Sequence, residues 1–276
     1  MERKICINLN PGFKDVSFED CLDSMRAADF DGVFTGWTPG DMVRRAKIIR
    51  EKGLYFQSVH APFNNAHKPW EIGPAGEAEI DSLIECITEC AEAGVPIVVI
   101  HPIIGMDRHN PTDRGIKRFG RLVKEAEKLG IMLAFENVEG IEYLEKIIAE
   151  LGSSPAVGYC WDTGHEMCYN GSMDVPALFG DKLICTHLND NLGQTNPNEI
   201  TWLDDSHLFP FDGIADWQGI ADRLARINYA GELTFELTLA SKPGRNTHDR
   251  YNDLTPETYY KLVYEKAVRF AQMIDR

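Results

Sequence analysis

Apolar runs recur along this chain at intervals, and each is followed by a longer amphipathic stretch. The runs are KICINLN (4–10), GVFTG (32–36), YFQSVH (55–60), PIVVIH (96–101), IMLAFE (131–136), AVGYCWD (156–162), LICTHL (183–188) and ELTFEL (232–237). They are short, β-prone and apolar on both faces, as strands covered on both sides must be. Between them, residues 18–30, 78–94, 113–130 and 256–276 carry helical periodicity, and two of these segments end on glycines suited to a helix stop. Eight strand–helix units within 276 residues predict a single (β/α)8 TIM barrel over residues 1–276. A doubly wound open sheet is the alternative, but the first unit lacks a glycine-rich phosphate fingerprint. The longest irregular stretch is 189–213, and long loops in compact domains usually serve function.

Composition narrows the class. Lys plus Arg number 28 against 43 Asp plus Glu, a formal net charge of −15. That balance works against non-specific attraction to nucleic acid or anionic lipid. The seven cysteines are odd in number and the N-terminal segment does not read as a secretory signal, so reduced thiols in a cytoplasmic protein are expected. Cys86 and Cys90, four apart on a predicted helix, read as buried small hydrophobes before they read as a metal pair. No run approaches a membrane span.

The predicted strand ends carry the chemistry. Strand 3 ends on His60, strand 4 on His101, strand 5 on Glu136 and strand 6 on Asp162, with His165 just beyond; strand 7 carries His187 and strand 8 Glu236. A lone histidine at a strand end is usually a hydrogen-bonded structural residue. Six consecutive strands delivering such groups to one barrel rim, the face where active sites lie, read instead as a shared centre. Glu136 and Glu236 sit against apolar residues, where an unpartnered carboxylate is costly. Glu136, Asp162, His187 and Glu236 offer three carboxylates and an imidazole, a set suited to one Mn2+, Mg2+, Co2+ or Zn2+ ion. His60, His101 and His165 are read as groups for substrate hydroxyls or further metal. Asp205 and His207 form an Asp-x-His pair in the long loop, an additional metal candidate. Phe63, Trp37 and Trp161 are candidates for an apolar wall. After strand 8, Lys242, Arg245, His248 and Arg250 cluster in SKPGRNTHDR; Lys242, Arg245 and Arg250 are candidates for a phosphate or carboxylate, with a solvated loop or a contact in a homo-oligomer as the plainer reading.

SVHAPF, VIHP, LAFENVEG, WDTGH, THLND and HLFPFDG followed by DW, with Glu in the last strand, resemble the xylose-isomerase-like barrel superfamily, which includes ketose 3-epimerases, inosose isomerases and dehydratases, and endonuclease IV. The resemblance implies one divalent metal on Glu136, Asp162, His187 and Glu236, with the two glutamates as the acid–base pair. It also implies that His165 contacts substrate and that Glu142, six beyond Glu136, touches the substrate end; His60, His101 and His207 complete the substrate set. The epimerases tend to carry an arginine shortly after the strand 7 histidine, where this chain reads NDNLG. The endonuclease branch uses three Zn2+ ions, and His60, His101, Glu136, Asp162, His165, His187, Asp205, His207 and Glu236 match its ligand types. The expected activity is a metal-dependent sugar or sugar-phosphate isomerase or epimerase working on a small-molecule substrate. A dehydratase-type lyase is the alternative. A nuclease ranks below both, because the first three loops offer only Lys14, His67 and Lys68 toward phosphates.

Overall fold

A computed structural model describes residues 3–107 and 109–274. Eight parallel strands follow one another in the order of the chain: β1 (Ile5–Asn8), β2 (Gly32–Gly36), β3 (Tyr55–His60), β4 (Ile97–Ile100), β5 (Met132–Glu136), β6 (Val157–Asp162), β7 (Leu183–His187) and β8 (Leu233–Phe235). Each pairs with its sequence neighbour from β1 to β7, and β8 returns to pair with β1. The seam between β7 and β8 is thinner. It consists of a bridge between Leu188 and Phe235, with Leu188 N donating to Thr234 O and Glu236 N to Leu188 O. The Thr186 hydroxyl takes the place of a backbone acceptor there, receiving Thr234 N–H at 3.0 Å. The result is the predicted (β/α)8 barrel.

The principal helices lie outside the sheet: α1 (Phe18–Ala27), α2 (Met42–Glu51), α3 (Ala75–Glu92), α4 (Asp113–Leu129), α5 (Ile141–Leu151), the short α6 (Thr163–Cys168) and α7 (Val175–Phe179), α8 (Trp217–Arg226) and α9 (Pro256–Ile274). Local sequence explains their limits. Ser17 caps α1 by accepting Asp20 N–H, and Thr112 caps α4 by accepting Gly115 N–H. Gly130 ends α4 at φ 68°, in the left-handed region that glycine adopts without strain. The last two residues of the helix predicted over 256–276 lie outside the described residues.

The strands are shorter than the apolar runs. β4 stops at Ile100 and β8 at Phe235, so His101 and Glu236 lie one residue past their strands, on the rim. Inside the barrel Ile97, Val99, Ala134, Cys160 and Cys185 pack together, while the larger core fills the space between sheet and helices. Cys86 and Cys90 are buried in α3, and all seven cysteines are free and buried. Among the described residues no helix is long and apolar enough to cross a membrane.

Candidate metal centre at the barrel mouth

The predicted groups converge. Glu136 is wholly buried and stands at the centre of the cluster. Its Oε1 lies 2.8 Å from His187 Nδ1, and its Oε2 lies 2.9 Å from His101 Nε2 and 3.4 Å from His60 Nε2. His187 Nδ1 also approaches Glu236 Oε2 at 3.2 Å. Asp162 lies beside them, and one ligand atom from each of Glu136, Asp162, His187 and Glu236 falls within 4.8 Å of the others. His60, His101 and Glu136 form a second such group, which shares Glu136 with the first. On the far side, His165 Nε2 lies 3.6 Å and His207 Nε2 2.9 Å from the two oxygens of Asp205.

Three of the five imidazoles have their tautomer set by the backbone. His60 Nδ1 is 2.8 Å from Ala61 O, His165 Nδ1 is 3.1 Å from Asn137 O, and His207 Nδ1 is 3.0 Å from Glu236 O. A ring that donates Nδ1–H to a carbonyl presents the Nε2 lone pair to the centre, the arrangement typical of metal-binding histidine. His207 is held at φ 49°, a conformation non-glycine residues adopt at some cost and which clusters at functional sites. Glu136 Oε2 and Asp205 Oδ1 are buried and receive no hydrogen bond of good geometry, although an imidazole nitrogen stands 2.9 Å from each. Buried carboxylate oxygens packed this closely against imidazole nitrogens fit a divalent cation.

Electrostatics agree. Burial pushes the Glu136 carboxyl upward, but His187, His101 and His60 outweigh it and hold it well below the usual range. Glu236 is drawn down to about 2 against burial, chiefly by His187. Burial raises Asp162 despite His165 and His207. Asp205 is held well below its usual value by His207 and His165, again against burial. Burial works against charge on His165 and His187, yet the adjacent carboxylates carry both well above the usual histidine range, and His207 rises to about 9. For His101 burial prevails and the value falls.

A cavity of about 930 Å³ opens over this floor. Its lining includes His60, His101, His165, Asp205, His207 and Glu236, with Trp37 and Phe63 from the expected apolar wall. Trp161 belongs elsewhere. It is fully buried, with Nε1 donating to Glu166 at 2.9 Å, because side chains alternate along β6 and Asp162 takes the inward position. Glu142 sits in the first turn of α5 and is absent from the cavity lining, where Glu139 stands instead, accepting Gly105 N–H. The basic cluster after β8 does not converge. Lys242 reaches the cavity and Asp205 at 3.3 Å; Arg245 pairs with buried Asp204 at 2.8 Å; Arg250 turns to Asp212 at 3.9 Å.

Several positioning residues went unpredicted. Asn189 Nδ2 donates to both oxygens of Asp162, at 3.1 and 3.0 Å, and Asn137 Oδ1 accepts Asp162 N–H at 2.7 Å. Asp162 also caps α6 by accepting His165 N–H at 2.7 Å. Gly164 lies inside α6, and an added Cβ would stand 3.0 Å from Asn189 Cγ and closer still to Oδ1. Asp190 organises the long loop, accepting Asn191 and Ala215 N–H at 2.8 and 2.9 Å and Trp217 Nε1–H at 2.8 Å. That explains in structural terms the Trp of the DW pair.

Comparison with known proteins agrees with this architecture. The chain is 28% identical over 303 aligned residues to the uncharacterized protein y4fM of Sinorhizobium fredii, covering 94% of this chain and 90% of the relative. It is 24% identical to the rhizopine catabolism protein MocC of Rhizobium meliloti, covering 93% and 82%. A crystal structure of D-psicose 3-epimerase in the presence of D-fructose superposes with a TM-score of 0.75 at 14% identity, over 99% of this chain and 100% of that one, a likeness of fold. The family model for the xylose isomerase-like TIM barrel matches residues 12–254, and the chain belongs to that family.

Proposed function

We propose that the protein is a divalent-metal-dependent sugar isomerase or epimerase that moves a proton at the carbon beside a carbonyl. The observation that carries the reading is the pairing of two ionised glutamates, Glu136 and Glu236, on the two sides of His187 Nδ1 at 2.8 and 3.2 Å. Glu136, Asp162, His187 and Glu236 would hold the ion, consistent with the fold shared with D-psicose 3-epimerase. When bound, such an ion supplies positive charge beside the oxygen that becomes negative as the proton leaves. One glutamate, as the carboxylate, takes the proton, and the other, having first taken a proton from solvent, delivers it to the opposite face. Both carboxyls are held low, so either can serve as the accepting carboxylate. His165, His60 and His101 present ring nitrogens to the substrate hydroxyls. Phe63, stacked on His101 with ring centroids 4.5 Å apart, covers the C–H face.

A second reading rests on the additional ligand groups, His60–His101–Glu136 and Asp162–His165–His207, with Asp205 beside the two histidines of the latter; together they have the composition for a three-Zn2+ centre. Phosphodiester chemistry on DNA finds little support at the mouth. The cationic residues lining the cavity are Arg45 and Lys242, and each is matched by a carboxylate, Asp41 or Asp205. A small polyol or sugar also accords with the catabolic role in the name of the MocC relative.

The test is solvent exchange. Metal-loaded protein should incorporate deuterium from D2O into a ketose or inosose of a free and phosphorylated panel, and E136Q and E236Q should each lower exchange at least a hundredfold while folding normally. No incorporation across the panel would sink the proposal. Loss of water from the product would identify a lyase, and cleavage of an abasic duplex would favour the second reading.

A further inference from the structure

The site that binds the reacting ring occupies only the floor of its cavity. Small-molecule sites span about 300–1,000 Å³; this cavity, at about 930 Å³, stands at the upper end. Among the described residues the exposed large hydrophobic side chains include two aromatics, Phe63 and Trp202, 39% and 52% exposed, and both line this cavity; Phe63 packs on His101 at the reacting ring, which leaves Trp202 uncommitted. They rise from different loops, after β3 and after β7.

Trp202 is not on a loose loop. Asp204, two residues on, is buried and accepts Thr195 N–H at 2.8 Å, the Thr195 hydroxyl at 2.9 Å and Arg245 Nη2 at 2.8 Å. Thr201 Oγ1 accepts Leu203 N–H, closing the short turn that carries the indole. Lys242 Nζ lies 5.5 Å from the ring centroid, so a cation orients the ring while more than half of the residue remains in water. An aromatic ring fixed in place and left wet at a cavity mouth is built for contact with a ligand that brings both an apolar face and polar edges. The apolar C–H face of a pyranose has that character, and Lys242 lies beside the indole in the same cavity for its hydroxyls.

We infer that the preferred substrate is a reducing disaccharide, whose reducing-end sugar supplies the carbonyl at the Glu136–Glu236 centre and whose second ring stacks on Trp202. The inference rests on the proposed placement of the reacting ring and adds the second ring. It assigns Arg245 the task of fixing the Trp202 turn through Asp204, in place of anion binding.

Calorimetry on the Mn2+-loaded full chain tests it without requiring turnover. D-Glucose, D-fructose and D-galactose are compared with maltose, cellobiose, lactose, maltulose and lactulose, each of which keeps a reducing-end carbonyl. At least one disaccharide should bind ten times more tightly than either of its component sugars. W202A should remove that advantage and leave monosaccharide affinity unchanged, and W202F should retain most of it. The inference is overturned if no disaccharide is preferred, or if W202A spares the preference or weakens both classes equally. Deuterium exchange is measured separately. A disaccharide preference without exchange removes the proposed function and leaves the second-ring site standing; exchange without the preference does the reverse.

Discussion

Replacing Gly164 by alanine tests whether the site is held together through Asn189. The backbone at Gly164 lies outside the left-handed region and inside α6, so an isolated helix would gain about 1 kcal/mol from the change. In this protein the new methyl would stand 3.0 Å from Asn189 Cγ and would overlap its Oδ1. Overpacking of a filled site costs about 1–3 kcal/mol. Moving the amide also strains its two bonds to the buried Asp162 carboxylate, and bonds to charged groups are worth about 1.5–3 kcal/mol each. G164A should therefore lower stability by about 2–4 kcal/mol. It should also weaken metal binding roughly 10–100-fold, the usual consequence of losing a partner that orients a ligand. The discriminating measurement is a double-mutant cycle with N189A, followed by denaturant unfolding and by chelator competition for Mn2+. In the N189A background the main clash is gone and Asn191 Nδ2 at 3.3 Å is the nearest remaining contact, so G164A should cost far less there, with a coupling of at least about 1 kcal/mol. Equal effects of G164A in both backgrounds would refute the reasoning.

Other outcomes follow from the same geometry. In the metal-free protein His207 has its value raised to about 9 because Asp205 outweighs burial. Its stabilisation is therefore complete below the unfolded value of about 6.5 and is lost as pH rises through about 9. Melting temperature should fall between those pH values in the presence of chelator; a flat or rising profile would contradict the assignment. Glu236, lowered to about 2, acts oppositely: its contribution is present above its unfolded value and is lost only as pH falls through about 2. D190N would set an amide against the donors that now meet a carboxylate. A loss of about 1–3 kcal/mol is expected for a mismatched buried pair, visible by thermal melting, and an unchanged melt would remove Asp190 from its organising role.

The strands and the centre were legible because a barrel strand is apolar throughout until it ends, and there a carboxylate or imidazole stands out. Glu136, Asp162 and His187 were found that way. Glu142 was not separable from Glu139, because both follow β5 and residue spacing alone does not say which reaches the cavity. Trp161 was legible in principle: it neighbours Asp162 on a strand, so the two face opposite sides. Arg245 looked like an anion ligand because its partner Asp204 lies 41 positions away in the chain. Asn137, Asn189 and Asp190 left little trace, since they act through backbone groups and other ligands. Asn137 lies in LAFENVEG and Asn189 and Asp190 in THLND, stretches that carried the family resemblance without any role being assigned to these three residues.

The thin seam between β7 and β8 bears on how the barrel moves. Elsewhere neighbouring strands share a ladder of at least three paired residues, whereas here closure depends on a bridge, two flanking amide bonds and a threonine hydroxyl. Local opening begins where the fewest bonds must break together. His187 ends one bank of that seam and Glu236 begins just past the other, 3.2 Å apart at their side chains. A cation held by both would clasp the barrel at its loosest joint, so that the ion serving the chemistry would also be the rivet that keeps the cylinder shut.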